Sequence, residues 1–139
     1  MRFIGFKEFI DMDKPKKDHE YSFERLHVWS DIRAMIRFVY TLTAGFPDSE
    51  KFGLTNQMRR AAISVGSNLA EGSSRTHAKD QAHFYQMGFS SLMELLSQSI
   101  VAFDLNLADE IQHQELRNQI DKIGYKLNAL RNQTLKRVT

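Results

Sequence analysis

The run FPDSEKFGLTNQMRRAAISVGSNLAEGSSR, from Phe46 to Arg75, decides the fold class. On a helical wheel Leu54, Met58, Ala61, Ala62, Val65 and Leu69 share one side, at the i, i+3, i+4, i+7 spacing of a stripe that faces a core. A second stripe of Gln57, Arg60, Ser64, Ser67 and Glu71 runs beside it. Ala61, Ala62, Ser64, Gly66, Ser67 and Ala70 keep the helix slim. Neighbouring helices can therefore approach its backbone closely and bury part of the polar stripe, whose atoms then need partners. The stretch predicts a packing helix with an internal polar network.

Working outward, a helix is expected upstream from Phe23 to Ala44, with Trp29, Ile32, Ile36, Val39 and Thr43 on one face and a stop at Gly45 with Pro47 beyond. The central helix begins near Thr55, with an extra turn from Asp48, and ends at Glu71, where Gly72 is expected as a left-handed cap. A third helix follows a Thr76 cap and runs from His77 to Asn106, about 45 Å long. The fourth opens at Asp109, with Gln112 three residues later as a capping box, and continues to Thr134 with Leu116, Ile120, Ile123, Leu127 and Leu130 as its core stripe. Short connections make successive helices antiparallel neighbours, so the reading is all-α, an antiparallel up-and-down four-helix bundle. Residues 1–22 read as an N-terminal arm and residues 23–139 as the bundle domain.

The 139 residues suit one domain, and two prolines and seven glycines leave room for long helices. The absence of cysteine removes disulfide and thiolate chemistry and is compatible with a cytoplasmic setting. MRFIGFKEFI is broken by Lys7 and Glu8 and lacks a small-residue cleavage site, so it does not read as a signal peptide. No stretch approaches 18 apolar residues, and no membrane partner is expected.

Leu26-His27-Val28-Trp29, Tyr40, Thr43, Gly45-Phe46-Pro47, Phe52-Gly53-Leu54, Gln57, Arg59-Arg60-Ala61-Ala62, Ser64, Asn68-Leu69-Ala70-Glu71-Gly72 and Arg75 together resemble the four helix bundle protein family. That family was first noted as reading frames within intervening sequences of 23S rRNA genes. The likeness covers about residues 23 to 135 and is most specific from Gln57 to Gly72. It implies the same antiparallel bundle and no settled biochemical function. Related accessory variability determinants of diversity-generating retroelements form pentameric barrels that bind nucleic acid and a reverse transcriptase, so the resemblance implies a homopentamer with such partners. Ser90 stands where glycine is expected, and Leu96 where glutamate is common after Glu94-Leu95.

The third helix carries more apolar surface than one core needs. Phe84, Leu95 and Ala102 lead into Leu92, Tyr85, Phe103, Leu96, Phe89 and Ile100, covering over half its circumference. Phe89, Leu96, Ile100 and Phe103 are accordingly assigned to an oligomer interface, a wide core face being the alternative. Charge is also segregated. Asp80, Glu94, Asp104, Asp109, Glu110 and Glu115 give −6 with no Lys or Arg between Asp80 and Glu115. From Leu116 onward Arg117, Lys122, Lys126, Arg131, Lys136 and Arg137 against Asp121 leave +5. Lys122, Lys126 and Arg137 on one flank, together with Arg59 and Arg75, are the candidate contacts to RNA or DNA phosphates. The competing reading is a solvated or complementary face. Gln57, Arg60, Ser64, Asn68, Glu71 and Glu94 are assigned to a structural polar network, with Arg60 reaching Glu71 or Glu94.

Catalytic signatures are missing. His19, His27, His77, His83 and His113 form no i, i+4 pair and no HExxH, and there is no P-loop, GxGxxG or GxSxG. No catalytic residue, metal site or cofactor is expected. Trp29, the single tryptophan, reads as a packing anchor. The functional expectation is a non-enzymatic, homo-oligomeric adaptor that associates with nucleic acid without sequence-specific readout. The rival is a protein-protein interaction scaffold with no nucleic-acid binding.

Overall fold

A computed structural model describes residues 19–137 as four helices: α1 His27–Ala44, α2 Leu54–Ser74, α3 Ala78–Asp104 and α4 Glu110–Lys136. Short 3-10 turns at Ser22–Arg25 and Asp48–Glu50 precede α1 and α2. Most of the arm expected over residues 1–22 lies outside the described residues.

Each helix packs on the next, and α4 closes the ring on α1, while the diagonal pairs do not meet. Named contacts set the directions. Arg59 near the start of α2 meets Thr43 at the end of α1, whereas Ser73 near the end of α2 meets Ser22 ahead of α1. Ser64 bonds Ser91 while Gly72 lies under Tyr85, so α2 and α3 run oppositely. Ser99 meets His113 and Phe89 meets Gly124 across α3 and α4. The chain is an antiparallel up-and-down four-helix bundle.

The core follows the apolar periodicities. Ile32, Met35 and Val39 from α1, Met58, Ala62, Val65 and Leu69 from α2, Leu92 and Leu95 from α3, and Leu116, Ile120 and Ile123 from α4 are fully enclosed. Trp29 packs edge-on against Phe23, ring centroids 4.9 Å apart, and lies against Gly66 of α2. This is the anchoring role expected of it.

Several helix ends differ from expectation. The first helix begins at His27 rather than Phe23, because Leu26 is extended (φ −76°, ψ 129°) and lets Phe23 fold back over Trp29. Thr76 does not cap α3; His77 holds that position without a side-chain hydrogen bond. The third helix ends at Asp104, two residues early. Asn106 takes φ 60°, and the Asn106 and Leu107 amides bond Phe103 O and Ala102 O, the paired closure of a Schellman motif. Asp109 and Gln112 form the expected capping box, with Asp109 Oδ1 2.7 Å from the Gln112 amide and Gln112 Oε1 3.0 Å from the Asp109 amide.

Gly72 is no left-handed cap. It lies inside α2, which continues to Ser74, and no described glycine has positive φ. Its need for glycine comes from α3: an added Cβ would sit 2.7 Å from Tyr85 Cε1 and 3.0 Å from Phe84 Cβ. Gly72→Ala is therefore expected to destabilise the fold by about 1–3 kcal/mol, although alanine favours helix by roughly 1 kcal/mol. A Tm several degrees lower by circular dichroism checks this; an unchanged or higher Tm would show that the ring yields freely.

Candidate nucleic-acid interface

The basic side chains singled out in the sequence do not share one surface. Lys122 and Lys126 turn from α4 toward α1, where they clasp Asp31 through Lys122 Nζ to Oδ1 at 3.1 Å and Lys126 Nζ to Oδ2 at 2.5 Å. Burial opposes the charge of Asp31, but the hydrogen bonds from Lys126 and Lys122, reinforced by their charges, hold its pKa below the ordinary carboxylate value. Arg75 and Arg137 lie at one end of the bundle. Arg75 pairs with Glu71 at 3.0 Å and covers the Phe84 ring, while Arg137 donates to Gln81 Oε1 at 2.7 Å. Arg59 belongs to a third region, between α1 and α2.

The polar network is shorter than expected. Ser64 Oγ meets Ser91 Oγ at 2.9 Å, and Asn68 Nδ2 donates to Ser64 O at 2.9 Å and to Ser64 Oγ at 3.2 Å. Ser91, its partner from α3, was not legible in advance, since nothing local sets it apart from Ser90, Ser97 and Ser99 on the same helix. Gln57 takes no side-chain part. Arg60 reaches neither Glu71 nor Glu94: eleven residues of helix place Glu71 about 16 Å along the axis, beyond an arginine's span. Glu71 pairs with Arg75 instead, and Glu94 accepts from Gln98 Nε2 at 3.4 Å.

What the fold does assemble is an arginine face along α1 and α2. On α1, Arg33, Arg37 and Tyr40 fall within an arc of about 60° that turns outward on the α2 side. Arg33, Arg37 and Arg60 are exposed and form no ion pair or hydrogen bond with another described residue. Arg59 is pinned from below: its Nε donates to Thr43 Oγ1 at 2.9 Å and its guanidinium covers the Tyr40 ring at 4.6 Å. Tyr40, Asn56, Arg59, Arg60, Ile63, Ser64 and Ser67 line a shallow cleft of about 570 Å³ between the two helices. A neighbouring cleft of about 430 Å³ shares Asn56, Arg60 and Ser64 and adds Phe52 and Glu94.

The only carboxylates on α1 and α2 are Asp31 and Glu71. Asp31 is held on the α4 side by two lysines, and Glu71 by Arg75. Arg33, Arg37 and Arg60 thus face solvent, with Arg59 held beside them on Thr43 and Tyr40; no carboxylate of either helix lies among them, and Glu94 of α3 shares the smaller cleft with Arg60. Such planar, permanently charged donors suit phosphate oxygens. Arg33 and Arg37 escaped sequence reasoning because the first helix has no run of like charge; the helical repeat sets Asp31 about 160° from Arg33, and packing then pairs it with α4.

The wide apolar surface of α3 is partly used within the bundle. Phe89 lies against Gly124, and Phe103 stacks on His113 at 4.8 Å, with Ser99 Oγ 3.2 Å from His113 Nδ1. Leu96 is half-buried, while Met93, Ile100, Val101 and Leu105 remain 37–56% exposed. Among the described residues no three His, Cys, Asp or Glu side chains converge on a metal position, and no helix is long and apolar enough to cross a membrane.

The Asp31 clasp has a defined pH dependence. With its folded pKa depressed, its contribution is present above the unfolded value near pH 4 and is lost as pH falls through the folded pKa. Asp31→Asn is expected to cost about 1 kcal/mol at pH 7, with the gap from wild type closing below about pH 4. Urea melts across pH 2.5–7 check it, and a constant gap would contradict the assignment.

A family model described as 23S rRNA-intervening sequence protein matches residues 24–129, well over half of the chain. No curated protein matches it.

Proposed function

The chain belongs to the 23S rRNA-intervening sequence protein family, and from that premise we propose that it is a non-enzymatic, homo-oligomeric adaptor that holds nucleic acid by its phosphate backbone. The observation that carries this reading is the arginine face, on which Arg33, Arg37, Arg59 and Arg60 lie without a carboxylate from α1 or α2. It displaces the flank of the last helix as the contact surface, since Lys122 and Lys126 already share Asp31. Contacts are made to phosphates, with aliphatic and hydroxyl groups between them, so the protein discriminates little among base sequences. RNA and DNA are both candidate ligands, and the setting is cytoplasmic.

Counterion release sets the expected behaviour. Four phosphate contacts per subunit would weaken duplex binding about a hundredfold between 50 and 200 mM salt. Fluorescence anisotropy with labelled single- and double-stranded RNA and DNA tests this. The triple change Arg33→Glu, Arg37→Glu, Arg60→Glu is expected to abolish binding, because all three side chains are exposed and free of internal pairs. Equal binding by wild type and variant, or no binding by wild type at low salt, would overturn the proposal.

The exposed remainder of the α3 stripe supports self-association, with five subunits as the assembly that the resemblance implies. A ring would repeat the arginine face and multiply a weak attraction. It also sustains the second reading, a scaffold whose α3 surface holds a protein partner such as a reverse transcriptase. Light scattering at micromolar concentration is expected to show an oligomer that Ile100→Asp with Val101→Asp dissociates while helicity is retained. A monomeric wild type would leave the α3 surface to a different protein.

A further inference from the structure

The cleft between α1 and α2 carries more than guanidinium groups. Tyr40 and Ile63 line it and are 40% and 43% exposed, so an aromatic ring and an aliphatic side chain lie open within a basic surface. Arg59 is fixed there before any ligand arrives. Its Nε donates to Thr43 Oγ1 at 2.9 Å, its Nη2 to the Tyr40 carbonyl at 3.4 Å, and its guanidinium covers the Tyr40 ring at 4.6 Å. Thr43 is buried and its hydroxyl is tied in turn to Val39 O at 2.7 Å, which makes the anchor rigid. Asn56 lines the same cleft, is exposed, and makes no side-chain hydrogen bond with another described residue.

We propose that this cleft seats an unpaired nucleobase of a single-stranded nucleic acid, stacked with Tyr40 and Arg59 and packed on Ile63, while the arginines hold the phosphates on either side. The proposal rests on the phosphate-binding reading of the arginine face and narrows it to a class of ligand. Phosphate contacts alone need neither an exposed ring nor an exposed isoleucine, and both gain when a flat apolar surface displaces water from them. Every base has such a face, on which a tyrosine ring and a guanidinium plane can stack. Because Arg59 and Tyr40 are already ordered against each other, seating a base there costs little side-chain entropy. The volume of about 570 Å³ falls in the range of pockets that take small organic ligands. The Asn56 amide both donates and accepts, so it can meet the edge of any base without selecting one strongly. On α1, Arg37 and Arg33 precede Tyr40 by about 5 and 10 Å along the axis, which sets cations along the path of a strand leaving the cleft. A duplex keeps its base faces stacked inside and offers the cleft only its backbone.

An abasic strand separates base seating from phosphate binding, because it keeps every phosphate and lacks only the bases. Fluorescence anisotropy at low salt compares a labelled adenine-bearing single strand with its abasic counterpart of equal length, in DNA and in RNA form. The full-length protein is expected to bind the intact strand at least about tenfold more tightly. Tyr40→Ala should bring the intact strand to within about twofold of the abasic one. It should leave the abasic strand and a duplex of the same length unaffected, because both hydrogen bonds that hold Arg59 remain. Tyr40→Phe should keep the gap. Equal binding of intact and abasic strands by the wild type would overturn the base seat and leave the phosphate reading standing. Binding of neither strand would overturn both. A gap that survives Tyr40→Ala in a protein of unchanged helicity would overturn the assignment to this cleft. A gap in one sugar alone would support the seat and assign it to that nucleic acid.

Discussion

The close approach of neighbouring backbones to α2 is the constraint on which the bundle depends. Gly66 admits Trp29, Ile32 and Ile36 from α1, and Gly72 admits Tyr85 and Phe84 from α3. Ala61 and Ala62 let the core residues of other helices press inward between them. Helix packing of this kind is set by side-chain size at the contact, so one extra methyl group at the tightest point works against the whole seam. The same slimness brings Ser64 within hydrogen-bonding distance of Ser91 and lets Asn68 bond back to Ser64. The Ser64, Asn68 and Ser91 side chains are thereby partnered without burying a charge.

Charges are instead sorted around the outside. Asp31 takes two lysines from α4, and Glu71 takes Arg75 just past the end of its own helix. These pairs consume the carboxylates of α1 and α2 on flanks away from Arg33, Arg37 and Arg60. The basic character of that face is therefore a product of three-dimensional pairing. Local charge counting along the chain points elsewhere, to the last helix, where Lys122 and Lys126 are already engaged by Asp31.

Legibility in the sequence follows this division. Periodicity revealed the α2 core stripe, the core stripe of α4 and the helix stop at Gly45, because those depend on local spacing and local backbone chemistry. The Asp109–Gln112 box was readable for the same reason. Gly72 was misread because its reason lies across a seam, in Tyr85. The Arg60 pairing failed on axial distance to Glu71, and with Glu94, which lines the same cleft, no ion pair forms. Phe89 and Phe103 show the intermediate case: the width of the apolar surface was visible, but only the fold shows how much of it α4 covers.

The arginine face also bears on how such a chain can change over generations. Arg33, Arg37 and Arg60 are exposed and carry no internal partner, whereas the small residues of α2 a few positions away hold the seams. Heritable variation at the three arginines can alter the charge of this surface while leaving the packing intact. Fold and surface identity are thus written on separate faces of the same helices, and a lineage can change the charge it presents without passing through an unfolded intermediate sequence.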